Sequence, residues 1–433
     1  MNRSSILYEN SSRTVFLIDI PTSIAVGQDL PHTTDPEPAT TPTNSINQRP
    51  KKETNKRCIL STPPLKAPYP SPPEPKTDKA RAKVLQRIPD LERGFHAEIE
   101  PLVREGLQEI RESYGDDSRE WCLGRHMIDD GAGSFMPEDG GSAGVETEGS
   151  RLSDGTLKYR DPPVILSPTD ANTFESIAGL RDVVVKNTSA ESAALVIQRL
   201  ESKTGHPRIF HIPPLSNFLL CTLSTSKTKP GSDLIPGLPR DQRFNLILLD
   251  PPWPNRSVRR SGHYHTQPYF DMDILTQHVR DILRVHLSNG TGGERDGSIA
   301  AIWVTNASKA RKAAYEAIQS AGLSVCEEWV WIKTSTNGKP ITPVEGLWRK
   351  PYEILIIGKR TLQSGNVIRR VIAAVPDVHS RKPGLRELFE RMFFSTSTGY
   401  SALEVFARNL TAGWWACGDE VLKFNEEEWW VDI

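Results

Sequence analysis

Asp250-Pro251-Pro252-Trp253 follows directly on the apolar run Asn245 to Leu249. Those residue types in that order can grip a flat molecule that bears an exocyclic amine. The carboxylate accepts from the amine, and two prolines fix φ and leave carbonyl oxygens with no neighbouring N–H to compete for them. The indole offers a face for stacking. An adenine fits that description. The same residues also suit an Asp that caps a turn and a Trp that fills a core, and Asp161-Pro162-Pro163 shows that the tripeptide occurs twice in this chain. The other copy follows no apolar strand and runs into Val164, so it has neither the position nor the ring.

The segment after the motif interleaves Arg256, Arg259, Arg260, His263 and His265 with Tyr264 and Tyr269. Cations that neutralise phosphates beside rings that stack bases are the footprint of single-stranded nucleic-acid contact. A charged loop can equally be a solvated one; its place beside an adenine-gripping turn favours contact. Trp329, Trp331, Trp414, Trp415, Trp429 and Trp430 read as core or edge packing.

Positioning these residues requires a scaffold, and from about residue 206 the pattern supplies one. Near-continuous apolar segments at Leu246–Leu249, Ile299–Val304, Val325–Ile332, Ile354–Ile357, Val371–Ala374 and Leu403–Phe406 read as strands. Between them, Asp271–Leu287, Ser308–Ala321 and Gly384–Phe394 read as amphipathic helices. That alternation implies an α/β domain with a mainly parallel sheet covered on both faces. In such a sheet ligands bind beyond the carboxyl ends of the strands, where Asp250 falls.

Upstream, the chain divides by composition. Residues 1–30 form an N-terminal strand segment whose apolar stretch Val15 to Val26 alternates and is broken by Asp19 and Pro21; it does not read as a signal peptide. Residues 31–80 hold 12 of the 34 prolines and read as a disordered linker. Its basic cluster Arg49, Lys51, Lys52, Lys56 and Arg57 suits nuclear localisation or a solvated linker. Residues 81–128 are a helical region with one apolar face at Phe95, Ile99, Leu102, Val103, Leu107, Ile110 and Tyr114. A mobile insertion is expected at 129–150. A small subdomain follows at 151–205, with a strand at Val164 to Leu166 and a helix at Glu191 to Glu201. The domain bearing the motif is 206–433.

The chain's 433 residues allow two to three domains. With 53 Lys plus Arg against 54 Asp plus Glu the net charge is -1, so any nucleic-acid affinity comes from local patches. Five cysteines without a CxxC pair argue against a zinc ribbon or a disulfide framework, and a reducing compartment fits. No apolar run is long enough for a transmembrane helix.

Six segments in order carry a family resemblance: Leu249 to Trp253 followed by Asn255, Ser257 and Val258; Trp329-Val330-Trp331-Ile332-Lys333; Lys350-Pro351-Tyr352-Glu353; His379-Ser380-Arg381-Lys382-Pro383; Glu404-Val405-Phe406-Ala407-Arg408-Asn409; and Gly413 to Phe424. Together they resemble the DPPW-type N6-adenine methyltransferases, in particular the methyltransferase-like four branch. The resemblance covers about 206 to 425, with weaker similarity at Ile6 to Ile24 and Phe95 to Ile110. It implies a Rossmann-like fold and S-adenosylmethionine as methyl donor, with no metal and no membrane association. The substrate it implies is a polynucleotide, RNA ahead of DNA, with small nuclear RNA adenosine as the branch's class and the nucleus as location. Catalysis falls to Asp250, Pro251, Pro252 and Trp253. Donor binding falls to Asp250 and Pro251, to Lys382 for the donor's carboxylate, to Glu404, Phe406, Arg408 and Asn409, and to Asp419 and Glu420 near its adenine. Arg256, Arg259, Arg260, Tyr264 and Lys333 are the nucleic-acid candidates.

One position departs from the pattern. Relatives carry Ser-Asp-Ile after an Ile-Pro-Pro run, and here Ile212-Pro213-Pro214 leads to Cys221-Thr222-Leu223. Losing that acid weakens donor binding by about 1 to 2 kcal/mol. A competing assignment is therefore a non-catalytic adapter that keeps the fold and the nucleic-acid groove; a third is an interaction protein whose proline-rich arm recruits partners.

Overall fold

The structure, a computed structural model, describes residues 4–30, 57–70, 74–75, 77–115, 119–128, 161–198, 206–223, 233–254, 271–289, 297–347, 349–360, 366–394 and 399–433. In chain order the strands are β1 Ile6–Glu9, β2 Val15–Ile18, β3 Arg57–Ser61, β4 His126–Met127, β5 Val164–Ile165, β6 Asn172–Phe174, β7 Val184–Lys186, β8 Ala193–Ile197 and β9 Arg208–Ile212. They continue as β10 Asn217–Leu220, β11 Leu246–Leu249, β12 Ile299–Val304, β13 Ser324–Lys333, β14 Tyr352–Lys359, β15 Ile368–Ala374, β16 Ala402–Val405, β17 Trp415–Gly418 and β18 Trp430–Asp432. The helices are α1 Ile20–Gly27, α2 Asp78–Leu85, α3 Asp90–Tyr114, α4 Met272–His286, α5 Ser308–Ser320 and α6 Arg386–Phe393.

Twelve strands form one sheet in the order β1-β2-β15-β13-β14-β12-β11-β16-β17-β10-β7-β5. The neighbours β12, β11, β16, β17 and β10 all run parallel. Only β14 interrupts the run toward β13, β15 and β2, which are again mutually parallel. Every residue of β11 and β12 is buried, as strands covered on both faces require. One face packs on α3, α4 and α5 through Ile99, Leu275, Ile282 and Ala314 against Ile247, Leu249 and Ile302. The other packs on α1 and α6 through Ile20, Ile24, Leu388 and Phe389 against Leu246, Leu248 and Ala301. The expected α/β architecture with a mainly parallel sheet is the one adopted, and the tryptophans of β13 are core.

Several local expectations need correction. The Val15 stretch is a strand only to Ile18. Asp19 then accepts from the Thr22 N–H at 3.0 Å, and Pro21 sits at the start of α1, a cap and a proline that both favour a helix start. Arg57–Ser61, inside the expected linker, is β3; it pairs with β18 and β4 and buries Cys58 and Ile59. Arg57 of the basic cluster pairs there with Asp432 at 3.2 Å, while Arg49, Lys51, Lys52 and Lys56 lie outside the described residues. The helix expected at Glu191 to Glu201 is strand β8 as far as Ile197. Ala193, Leu195 and Ile197 are buried in alternation, and the strand pairs antiparallel with β9. The boundary expected at 206 does not divide the sheet, because β2 pairs in it with β15 and β7 with β10, and β1 and β5 extend its two edges. The insertion expected at 129–150 lies outside the described residues.

Candidate active site

Parallel neighbours align their carboxyl ends. β11 therefore brings Asp250, β16 brings Phe406 to Asn409, β17 brings Asp419 and Glu420, and β10 brings Thr222 to one rim of the sheet. The chain leaves β11 toward β12 on one side while β16 lies on the other, the arrangement that opens a ligand crevice beyond the strand ends.

Asp250 continues β11 with its N–H on the Val405 carbonyl at 3.3 Å. Its Oδ1 lies 3.2 Å from Lys382 Nζ, and the same ammonium lies 3.0 Å from Glu353 Oε2. Glu353 Oε1 in turn meets Lys333 Nζ at 2.5 Å. Two acids and two cations from β11, β14, β13 and the β15–α6 connection thus form one chain of charge. Burial works against the Glu353 carboxylate, yet Lys382 and Lys333 hold it down to about 2. Burial likewise opposes the Lys382 ammonium, and Asp250 with Glu353 raises its pKa above that of an ordinary lysine. Behind this web, buried His96 Nδ1 meets Tyr352 Oη at 2.7 Å, and Asn306 Nδ2 donates to the Tyr352 carbonyl, so the residue before Glu353 is held from both sides.

On the other side of Asp250, Glu404 lies in β16 opposite Leu248. Burial, and then the Asp250 charge, push its pKa up to about 8. Phe406 leaves that strand with φ 62°, in the left-handed region, as does Ser380 at 66° before Lys382. Non-glycine residues there are strained by about 1–3 kcal/mol and concentrate at ligand sites. Gly418 makes the close passage beneath Phe406 possible: its φ is 150°, and a Cβ there would stand 3.3 Å from the Phe406 Cα. Arg408 Nε donates to Glu420 at 2.8 Å and its Nη1 to the Ser380 carbonyl at 3.2 Å. Burial disfavours the Glu420 carboxylate, but Arg408 and Lys423 bring its pKa below the usual value.

The structure therefore gathers Asp250, Lys382, Glu404, Phe406, Arg408, Asn409, Asp419 and Glu420 on one rim. Three expectations change. Trp253 is only 8 % exposed and donates Nε1–H to the Trp303 carbonyl at 2.6 Å, so it is a fixed core aromatic rather than a free stacking face. The Pro251 carbonyl already accepts the Trp253 N–H at 2.8 Å; proline removes its own donor, but not the one two residues on. Lys333 is committed to Glu353 instead of standing free for phosphate. Thr222 is exposed at the end of β10. Arg256, Arg259, Arg260 and Tyr264 lie outside the described residues.

Sequence reasoning assigned no role to Glu353, the hinge of the charge web. Its presence in the Lys350 to Glu353 segment was the available signal. Trp303, whose ring lies 5.6 Å from Lys382 Nζ, gave none beyond its place near the end of an apolar strand. Among the described residues no group of three or more His, Cys, Asp or Glu is arranged to hold a metal, and no helix is long and apolar enough to cross a membrane.

A sequence model of the MT-A70 family matches residues 244–420, from the strand before Asp250 to Glu420. The chain is similar to the protein of Pyricularia oryzae named N6-methyladenosine RNA methyltransferase MTA1, 34% identical across 98% of this chain and 96% of that one. It is 31% identical to the N(6)-adenine-specific methyltransferase METTL4 of Mus musculus over 51% of this chain and 45% of that protein. It is 26% identical to the DNA N6-methyl methyltransferase of Caenorhabditis elegans over 50% of this chain and 54% of that one, so it spans about half the length of each of these two. With the family match laid over the rim built by β11, β16 and β17, and one relative aligned nearly end to end, the chain belongs to the MT-A70 family and is a methyltransferase.

Proposed function

We propose that the chain transfers a methyl group from S-adenosylmethionine to N6 of an adenine in RNA. The observation that carries this reading is the Asp250 carboxylate at the end of a buried central strand, fixed by Lys382 at 3.2 Å and followed by the Pro251 carbonyl. The rim's chemistry fits the donor: Lys382 and Arg408 are cations for a carboxylate, and Asp250 is an acceptor for an amine. Glu404 and Asn409 offer hydrogen bonds to ribose hydroxyls, with Asp419 and Glu420 at the outer edge. When bound, the donor supplies a methyl made electrophilic by its sulfonium.

The chain's own part is to prepare the nucleophile. The N6 lone pair of adenine is delocalised into the ring, and an acceptor that holds the amine's hydrogen makes that pair more available. Asp250 is that acceptor, and the second lone pair of the Pro251 carbonyl is the other. Lys382 and Glu353 keep the carboxylate from rotating away. Holding the amine in line with the methyl at about 3 to 3.5 Å supplies much of the remaining rate.

RNA is preferred to DNA because the relative aligned nearly end to end carries an RNA methyltransferase's name. Small nuclear RNA is the narrower candidate, and a nuclear location goes with it. The test incubates the protein with methyl-labelled S-adenosylmethionine and either total RNA or genomic DNA, then digests to nucleosides. Label in N6-methyladenosine from RNA is expected. Label confined to the deoxynucleoside would move the assignment to DNA, and titration showing no donor binding would leave an adapter.

A further inference from the structure

Helix α2 has no buried residue, and eight residues are too few for a helix to persist in water unaided. It is held by its lead-in segment. Glu74 Oε2 meets Arg81 at 2.8 Å while Glu74 Oε1 accepts the Leu347 N–H at 2.8 Å. That segment runs along the 334–351 connection, with Thr336 N–H on the Leu65 carbonyl at 2.8 Å and Tyr69 N–H on the Ile341 carbonyl at 2.9 Å. The connection joins the carboxyl end of β13 to the start of β14. Because β14 is antiparallel to both β12 and β13, β13 points the same way as β11, and the connection stands on the rim that carries Asp250. Its two ends are Lys333 and, through Tyr352, Glu353, both members of the charge web.

This strap presents Lys66, Lys79, Lys83, Lys339 and Arg349 exposed, with no carboxylate partner among the described residues. Lys79 and Lys83 are four apart and share one face of α2. Tyr69, three residues after Lys66 and bonded through its N–H to Ile341, two residues after Lys339, has half of its surface exposed. In a chain of net charge -1, five unpaired cations exposed on the same strap as an exposed ring call for a polyanion with stackable faces. We propose that the strap and α2 bind single-stranded RNA outside the adenine pocket, phosphates on the lysines and a base on Tyr69. The proposal deepens the RNA methyltransferase reading and rests on it.

The test uses the full chain and a fluorescent 20-nucleotide single-stranded RNA containing adenine, with anisotropy followed across a salt series. In Lys66→Gln/Lys79→Gln/Lys83→Gln the slope of log K against log salt should shrink by about 2, since each phosphate contact on a single strand contributes about 0.7. Tyr69→Ala should weaken binding about tenfold at every salt concentration and leave the slope alone. Both variants should keep wild-type methylation of an adenine-containing trinucleotide and an unchanged melting temperature. If the wild type binds RNA and the triple variant keeps its slope, the strap is a solvated surface and the proposal falls while the methyltransferase reading stands. If the wild type binds no RNA, both fall.

Discussion

Glu353 and Glu404 are two half-buried glutamates on one rim, each a neighbour of an element that frames Asp250, and the protein treats them in opposite ways. Glu353 stands between two lysines and is held at about 2. Glu404 has no hydrogen-bond partner among the described residues, faces the Asp250 charge, and rises to about 8. Burial opposes ionisation at both, so the presence or absence of a facing cation decides the outcome. One half of the rim is a finished ionic structure. The other holds a neutral acid at pH 7, uncommitted and able to donate a hydrogen bond.

The comparison breaks most completely at the shared residue. Asp250→Asn keeps the shape and removes the acceptor charge, and turnover should fall a hundredfold or more, as for loss of one preorganised group worth on the order of 2.7 to 4 kcal/mol. Initial rates with RNA settle it, and a variant above a tenth of wild-type turnover would remove Asp250 from the chemistry. Lys382→Met should come next. It removes the one cation that Asp250 and Glu353 share and leaves Glu353 with Lys333 alone, so turnover should drop about tenfold and calorimetric titration should show weaker S-adenosylmethionine binding. Wild-type rates would mean that the web only braces the fold.

The two glutamates should then separate on the pH axis. Glu353 has a native pKa below its unfolded value of 4.5, so its contribution is present above 4.5 and disappears as pH falls toward 2. Glu404 has a native pKa above 4.5, so its contribution is present below 4.5 and is lost as pH rises through 8. Glu404→Gln should therefore gain melting temperature relative to wild type between pH 4.5 and 8.5 and show little difference at pH 4. A constant difference across that window would contradict the raised pKa. The smallest effect is expected from Thr222→Asp at the end of β10. Introducing the acid that the family resemblance leads one to expect there should tighten S-adenosylmethionine binding by about 1 to 2 kcal/mol; superimposable titrations would show that this chain reads the donor through other groups.

The buried strands were legible because strands covered on both faces leave a continuous apolar trace whatever their direction, and β11, β12 and the antiparallel β14 fall where that trace lies. β8 was not legible. Glu-Ser-Ala-Ala-Leu-Val-Ile has residues that suit a helix, and the pairing with β9 overrides them. The place of β2 in the sheet depends on partners far along the chain, which no local pattern records. At the site, residue type and family order pointed to Asp250 and Lys382. Their bond to each other could not be read, because 132 positions separate them and nothing in spacing says which acid a lysine will choose. The burial of Trp253 is hidden for a related reason: an aromatic after a strand looks the same in sequence whether its N–H meets solvent or the Trp303 carbonyl.

The pairing of β2 with β15 also sets a schedule for the molecule's birth. Val15 lies beside Val371, and at about 5–20 residues per second a ribosome needs roughly 20 to 70 s to travel from one to the other. Throughout that interval Val15-Phe16-Leu17-Ile18, all four buried in the finished protein, have only the four-residue β1 to pair with, and the edge that β15 will cover stays bare. A nascent apolar strand left waiting is a target for chaperones and for wrong partners. The reverse holds for a fragment begun at residue 206: it would carry β15 with its β2 side bare, and such an edge invites another copy to fill it.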